Sequence, residues 1–256
     1  MARGSLPPLV LAYHGVAAVK VRDDPSLLFV PPREVARHIR RLRRWNYELL
    51  GFGDMAGRIR DGRAAGCASL TFDDGFVDNL EQLAPLLEDE GVPATVFVPS
   101  GWLGRTHPYA PQTRVMTAAE VRELRARGIE IGAHTHSHPD LTTLPYDEAV
   151  AELRRGKEEL EELLGEPIQT LAYPYGRVNE ETRRASREVG FVAACRTCGE
   201  GNWSDPFDIP RQDMTNASTM LGLRLKRDER YERLVAWRPF GLARAARRRL
   251  LAAAGR

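Results

Sequence analysis

Ala68-Ser69-Leu70-Thr71-Phe72-Asp73-Asp74-Gly75 is an apolar run that stops abruptly in two carboxylates and a glycine. A second run, Glu130-Ile131-Gly132-Ala133, stops in His134-Thr135-His136-Ser137-His138. Each reads as a buried strand whose end carries groups able to bind a metal or move a proton. An α/β enzyme assembles a metal site in this way, from the C-terminal ends of parallel strands.

Working outward, strand-like and helix-like segments alternate. The expected strands are 9–14, 69–73, 94–99, 130–134, 170–173, 190–194 and 209–211. Helices are expected over 32–45, 77–90, 117–127, 146–164 and 180–189. Thr117 and Glu120 have the spacing of a capping box. Gly91, Gly128, Gly165 and Gly190 stand where helices stop. The alternation predicts an α/β fold with a mostly parallel sheet and helices outside, and seven strands suggest a barrel or an incomplete one. The Asp pair, the His cluster and Tyr173-Pro174-Tyr175-Gly176 all fall at its C-terminal rim. Residues 101–116 and 197–208 read as irregular loops walling a cleft there.

The 256 residues are 43% hydrophobic and 28% charged, an ordinary soluble composition with room for a large core. Net charge is +2, but from Arg224 onward there are eleven basic and three acidic residues, leaving 26 basic and 32 acidic before it. This divides the chain into a catalytic body, 1–220, and a basic helical tail, 221–256, broken at Pro239. The tail could make peripheral contact with an acidic membrane surface or a partner. The body carries no basic stripe with interleaved aromatics, which argues against nucleic acid. The N-terminus lacks the pattern of a secretory signal, so a cytoplasmic location is expected, peripheral at the inner membrane face if the tail binds there. Cys195 and Cys198 have the spacing of a metal or redox pair, but with no second pair they read as structural.

Two carboxylates as close as Asp73 and Asp74 should not both be free anions. A cation resolves the conflict if one Asp binds it and the other takes a proton. Adjacent strand residues point to opposite faces, and Gly75 allows both to lean toward one site. His134, His136 and His138 alternate along an extended chain, and neutral imidazole is a common metal ligand. One carboxylate and two imidazoles leave an open site, equipment for hydrolysing an amide or ester.

Thr71-Phe72-Asp73-Asp74-Gly75 followed by His134-Thr135-His136-Ser137-His138 resembles the polysaccharide deacetylases of carbohydrate esterase family 4, the NodB-homology fold. Tyr173-Pro174-Tyr175-Gly176 looks like the family's third motif. The resemblance spans roughly residues 9–215. It implies a distorted (β/α)7-type barrel acting on an acetylated sugar. It makes Asp73 the general base and Asp74, His134 and His138 the ligands of one divalent metal: Zn2+ first, with Co2+, Ni2+ or Fe2+ also accommodated. His136 falls on a variable position. The Tyr175 N–H would help hold the oxyanion. Where the family often has an arginine supporting the base, this chain has Ala172; Arg211 could supply the guanidinium instead. The family's late general-acid histidine is missing, since no histidine follows His138. The candidates are His14, His136 and His107. His14 is favoured, because Tyr13-His14 resembles the arrangement in members with circularly permuted strands. The implied activity is N-deacetylation of an N-acetylhexosamine-containing glycan or glycoconjugate. The alternatives are the same chemistry on a small amide, formamide, O-acetyl ester or lipid-linked sugar, and an inactive glycan-binding module.

Overall fold

Strands buried on both faces show no polar alternation, and the computed structural model, which describes residues 6–197, 201–216 and 218–228, is built on such strands. In chain order the elements are β1 (Leu9–Tyr13), α1 (Pro32–Arg44), β2 (Glu48–Leu50), α2 (Phe52–Arg60), β3 (Cys67–Phe72), α3 (Ala84–Glu90), β4 (Thr95–Val98), β5 (Thr106–His107), β6 (Ala110–Arg114), α4 (Ala118–Ala126), β7 (Glu130–Ala133), α5 (Tyr146–Leu164), β8 (Thr170–Ala172), α6 (Glu180–Glu188), β9 (Ala193–Arg196), β10 (Ile209–Pro210), β11 (Gln212–Asp213) and α7 (Met220–Arg227). Every residue of β1, β3 and β4 is buried. The expected capping box at Thr117 and Glu120 opens α4.

The main sheet runs β10-β9-β8-β7-β4-β3-β1-β11. All its pairs are parallel, and β2 lies on Cys67–Ser69 of β3, below the point where β4 joins at Thr71. The two ends of the series, β10 and β11, are consecutive in the chain. Ile209 and Pro210 pair with Cys195 and Arg196, while Gln212 and Asp213 pair with Leu11 and Ala12. One extended segment thus closes the sheet on itself, half on β9 and half on β1, with Arg211 at the seam. Counted once, and with β2 set aside, that segment gives the seven barrel strands expected.

Pleating sends alternate side chains to opposite faces. Leu9, Leu11, Tyr13, Leu70, Phe72, Val96 and Ile131 join the helices in the larger core. The other phase, including Val10, Phe97, Ala172, Cys195 and Ile209, packs with Phe52 and Met55 of α2, which floors the barrel. His14, Asp73 and His134 continue this inner phase one residue past β1, β3 and β7, so the pleat itself aims them inward. Space inside is short: a Cβ on Gly132 would come within 2.4 Å of the Phe97 ring.

Helix α2 was not expected, because Phe52-Gly53-Asp54-Met55-Ala56-Gly57 forms helix poorly; each interior glycine costs about 1 kcal/mol. Burying Phe52 and Met55 stabilises by about 1.5–3 kcal/mol each, which more than offsets that. Glu130, at the bottom of β7, accepts the Gly53 N–H and the Thr95 and Thr170 hydroxyls, tying the floor to three strands. Helix α7 brings Leu223 into the core and sets the Arg227 guanidinium 4.4 Å from the ring centre of Trp45, the residue after α1. Residues 229–256, most of the expected tail, and Cys198 lie outside the described residues. Among the described residues no helix is long and apolar enough to cross a membrane.

After the Asp pair the chain passes through a π-helical turn, Asn79–Leu83, before α3. Here Asp78 accepts the Val16 N–H at 2.7 Å and Asn79 donates to the His14 carbonyl at 3.1 Å, pinning the exit of β1. Burial pushes the Asp78 carboxyl up to about 7. Its folded-state value therefore lies above its unfolded one, near ~4. Between these values the folded chain binds more protons, so this group's contribution falls as pH rises from about 4 to about 7. Asp78→Asn keeps the acceptor and removes the charge. Its stability advantage over the unaltered protein should be smallest near pH 4 and reach at most ~4 kcal/mol above pH 7. Urea unfolding at both pH values measures this, and an unchanging difference would refute it.

Candidate active site

Asp73 and Asp74 are both about 4% exposed at the top of β3. The turn that brings them together begins earlier than the glycine: Asp74 itself takes φ 70°, and Gly75 follows at 62°. With that left-handed residue both aspartates line the same cleft while their carboxylates meet different partners. Among the described residues six non-glycine residues have positive φ, and four of them, Asp74, Thr135, His138 and Tyr175, stand at this rim. Strain of that kind concentrates where geometry serves function.

Arg211 Nη1 and Nη2 each donate to a different oxygen of Asp73, both at 2.7 Å. Nη1 also reaches the Thr71 hydroxyl at 2.9 Å, and Thr71 donates in turn to the Leu11 carbonyl. The guanidinium has no exposed side-chain surface. Burial works to raise the Asp73 carboxyl, but the Arg211 charge and hydrogen bonds hold it below the ordinary carboxylate range.

Asp74 points the other way. Its Oδ2 lies 3.1 Å from His107 Nε2. Its Oδ1 is buried without a hydrogen-bond partner, 3.6 Å from His134 Nε2 and 3.6 Å from His138 Nε2. The two imidazole nitrogens are 3.2 Å apart. His134 Nδ1 donates to the Ala172 carbonyl at 2.7 Å, so the neutral ring leaves Nε2 bare. Burial, with the neighbouring imidazole, pushes His138 down to about 4, which leaves it neutral at physiological pH. Three possible donor atoms, all within 4.8 Å of one another, therefore face one point. An orphaned buried carboxylate oxygen, a bare imidazole nitrogen on His134 and the neutral His138 ring beside it fit a divalent cation such as zinc.

The His134–His138 turn is held from behind. His138 N–H donates to the Thr135 hydroxyl at 3.0 Å. His136 points away, its Nδ1 2.8 Å from Glu159 Oε2 and 3.1 Å from the Ser100 hydroxyl. Gly156 of α5 packs so closely that a Cβ there would come within 2.4 Å of the Thr135 carbonyl carbon. A glycine that weakens the helix thus lets α5 lie directly on the ligand turn.

A cleft of about 210 Å3 opens above the donor atoms, lined by His14, Ser26, Leu28, Asp73, Asp74, Tyr109, His134, His138, Tyr175, Gly176 and Thr197. That is below the ~300–1,000 Å3 of sites that enclose a whole ligand, and suits one end of a larger one. The structure thus gathers Asp73, Asp74, His134, His138, Tyr175 and His14 around one space, with Arg211 behind Asp73. Of the three acid candidates, His14 lines the cleft, while His136 is tied to α5 and His107 lies fully buried beneath Asp74. Tyr175, at φ 57° in the Pro174–Gly176 turn, meets the Tyr109 hydroxyl with its own at 2.6 Å. Tyr109, Ser26, Leu28 and Thr197 were not singled out from sequence. Tyr109 comes from the β5–β6 hairpin, where an irregular loop was expected.

The polysaccharide deacetylase family model matches residues 61–194, and the chain belongs to that family, carbohydrate esterase family 4. The match includes the Asp pair, the His cluster and Tyr175, but neither His14 nor Arg211. Among relatives, YxkH of Bacillus subtilis (strain 168), a protein assigned only provisionally to the polysaccharide deacetylases, is 27% identical over 190 residues, 73% of this chain and 63% of that protein. A chitin deacetylase of Colletotrichum lindemuthianum is 32% identical over 111 residues, 43% of this chain and 42% of that enzyme. The chain thus spans less than two thirds of the length of either relative. Streptococcus pyogenes deacetylase PplD, solved in complex with acetate, superposes with a TM-score of 0.75 at 20% identity, covering 87% of this chain and 99% of that one; this likeness concerns the fold.

Proposed function

We propose that this chain is a metal-dependent hydrolase that removes the N-acetyl group from an N-acetylhexosamine-containing glycan or glycoconjugate. The observation that carries the reading is the convergence of Asp74 Oδ1, His134 Nε2 and His138 Nε2 beside an arginine-clamped Asp73 in an open cleft. Asp74, His134 and His138 would hold the cation, zinc in the first instance, which supplies Lewis-acid polarisation of the acetyl carbonyl and lowers the pKa of water.

The remaining steps belong to the chain's own residues. Asp73, kept anionic and oriented by Arg211, accepts a proton from the attacking water as general base. The Tyr175 backbone N–H donates to the carbonyl oxygen as negative charge develops there. His14 delivers a proton to the departing nitrogen. The C–N bond breaks, and water and acetamide become acetate and a free amine. The family membership and the chitin deacetylase relative support a sugar substrate.

The test is acetate release by the zinc-loaded protein from N-acetylglucosamine oligomers, with the monomer, a lipid-linked N-acetyl sugar and an O-acetylated sugar alongside. Release from the oligomers is expected. Release only from the O-acetylated sugar would replace the amide reading with an ester one. No release from any, with zinc bound, would favour a binding module.

A further inference from the structure

His107 neither lines the cleft nor belongs to the donor trio, and its surroundings fix it from four sides. Its ring stacks on Phe76, with centroids 4.1 Å apart and planes at 21°. The edge of Trp102 closes another side, with centroids 5.4 Å apart and planes at 85°. The Tyr109 backbone N–H donates to Nδ1 at 3.2 Å. Nε2 lies 3.1 Å from Asp74 Oδ2, and the side chain has no exposed surface.

A backbone amide can only donate, so His107 Nδ1 must be an acceptor and the proton of the neutral ring sits on Nε2. That proton points at Asp74. One oxygen of the carboxylate is therefore occupied from below, and the other, Oδ1, is left toward His134 and His138.

We propose that His107 is a positioning residue for the metal centre: it holds the Asp74 carboxylate in one rotamer and commits it to offer a single oxygen to the cation. The proposal rests on the reading of Asp74, His134 and His138 as a metal site. A partner behind a metal ligand fixes its orientation, and losing such a partner typically costs about 10–100-fold in affinity. The β5–β6 hairpin supplies both halves of the device. Its Tyr109 N–H sets the His107 tautomer, while the Tyr109 side chain forms part of the cleft wall. The wall against which a substrate rests and the anchor of the metal ligand are thus one hairpin.

Zinc titration against a competing chelator, on protein shown by circular dichroism to be folded, tests this without any substrate. His107→Phe keeps a flat ring and loses both nitrogen contacts; zinc binding is expected to weaken by about 10–100-fold. His107→Gln, which can still donate to Asp74, is expected to recover most of that loss. Unchanged affinity in His107→Phe would overturn the proposal, as would equal losses in both variants, which would point to packing alone. A second measurement needs no substitution. Nitrogen-15 NMR of the unaltered protein should show His107 as the Nε2–H tautomer with and without zinc; an Nδ1–H tautomer would overturn the assignment even if neither variant folds. Failure of the unaltered protein to bind any divalent ion would instead remove the metal site itself, and the NMR result distinguishes the two.

Discussion

Asp73→Asn is expected to lower kcat/KM for deacetylation by about 10²–10⁴-fold, the usual worth of a positioned general base. The change keeps the shape of the side chain and removes its basicity. Because Asp73 is outside the donor trio, zinc affinity should stay within a few-fold of the unaltered value. Stability should fall as well, since the new amide NH2 faces a guanidinium that at present meets a carboxylate oxygen at 2.7 Å. The decisive comparison is activity at saturating zinc beside the zinc binding curve. Activity within tenfold of the unaltered protein would remove Asp73 from the role of base. A collapse of zinc affinity in parallel would mean that the two aspartates divide the work differently.

Arg211→Met should have the largest effect on stability, about 3–5 kcal/mol, because it removes one member of a buried ion pair and strands the other. Both oxygens of the Asp73 carboxylate are taken by Arg211, whose side chain is wholly buried. Arg211→Lys should rescue only partly, since one ammonium cannot span two oxygens as a planar fork does. Urea unfolding of Arg211→Met, Asp73→Asn and the double variant forms a closed cycle. The double variant should be destabilised by clearly less than the sum of the singles, because the stranded charge is gone. Additive losses would show that the two groups contribute independently, and the clamp would lose its place in the mechanism.

Much of this was legible because the barrel strands are short apolar runs with abrupt polar ends. The pleat decides which ends face inward, so Asp73 and His134 announce themselves by position alone. The strand 209–211 was read on the right segment, but not its division: Arg211 separates two pairings, a fact set by β9 and β1 and not by its neighbours in sequence. Other elements were hidden for reasons of the same kind. Glu48-Leu49-Leu50 is too short, at three half-buried residues, for a periodic signal. Helix α2 exists because the barrel floor needs Phe52 and Met55, against the local preference of its glycines. The β5–β6 hairpin has no clean alternation, so neither its form nor the meeting of His107 with Asp74 could be seen beforehand. Gly156 goes against the helical preference of α5, and the reason, the backbone of Thr135 packed beside it, lies far away in sequence.

The seam at Arg211 also bears on how the protein is made. The guanidinium is 138 residues downstream of the carboxylate it clamps. A nascent chain must hold Asp73 without its counter-ion throughout that interval, with one margin of β1, and at the end that of β9, unpaired and open to stray association. Docking of one five-residue segment ends both hazards together. Sealing the cylinder and giving Asp73 its counter-ion are then a single event.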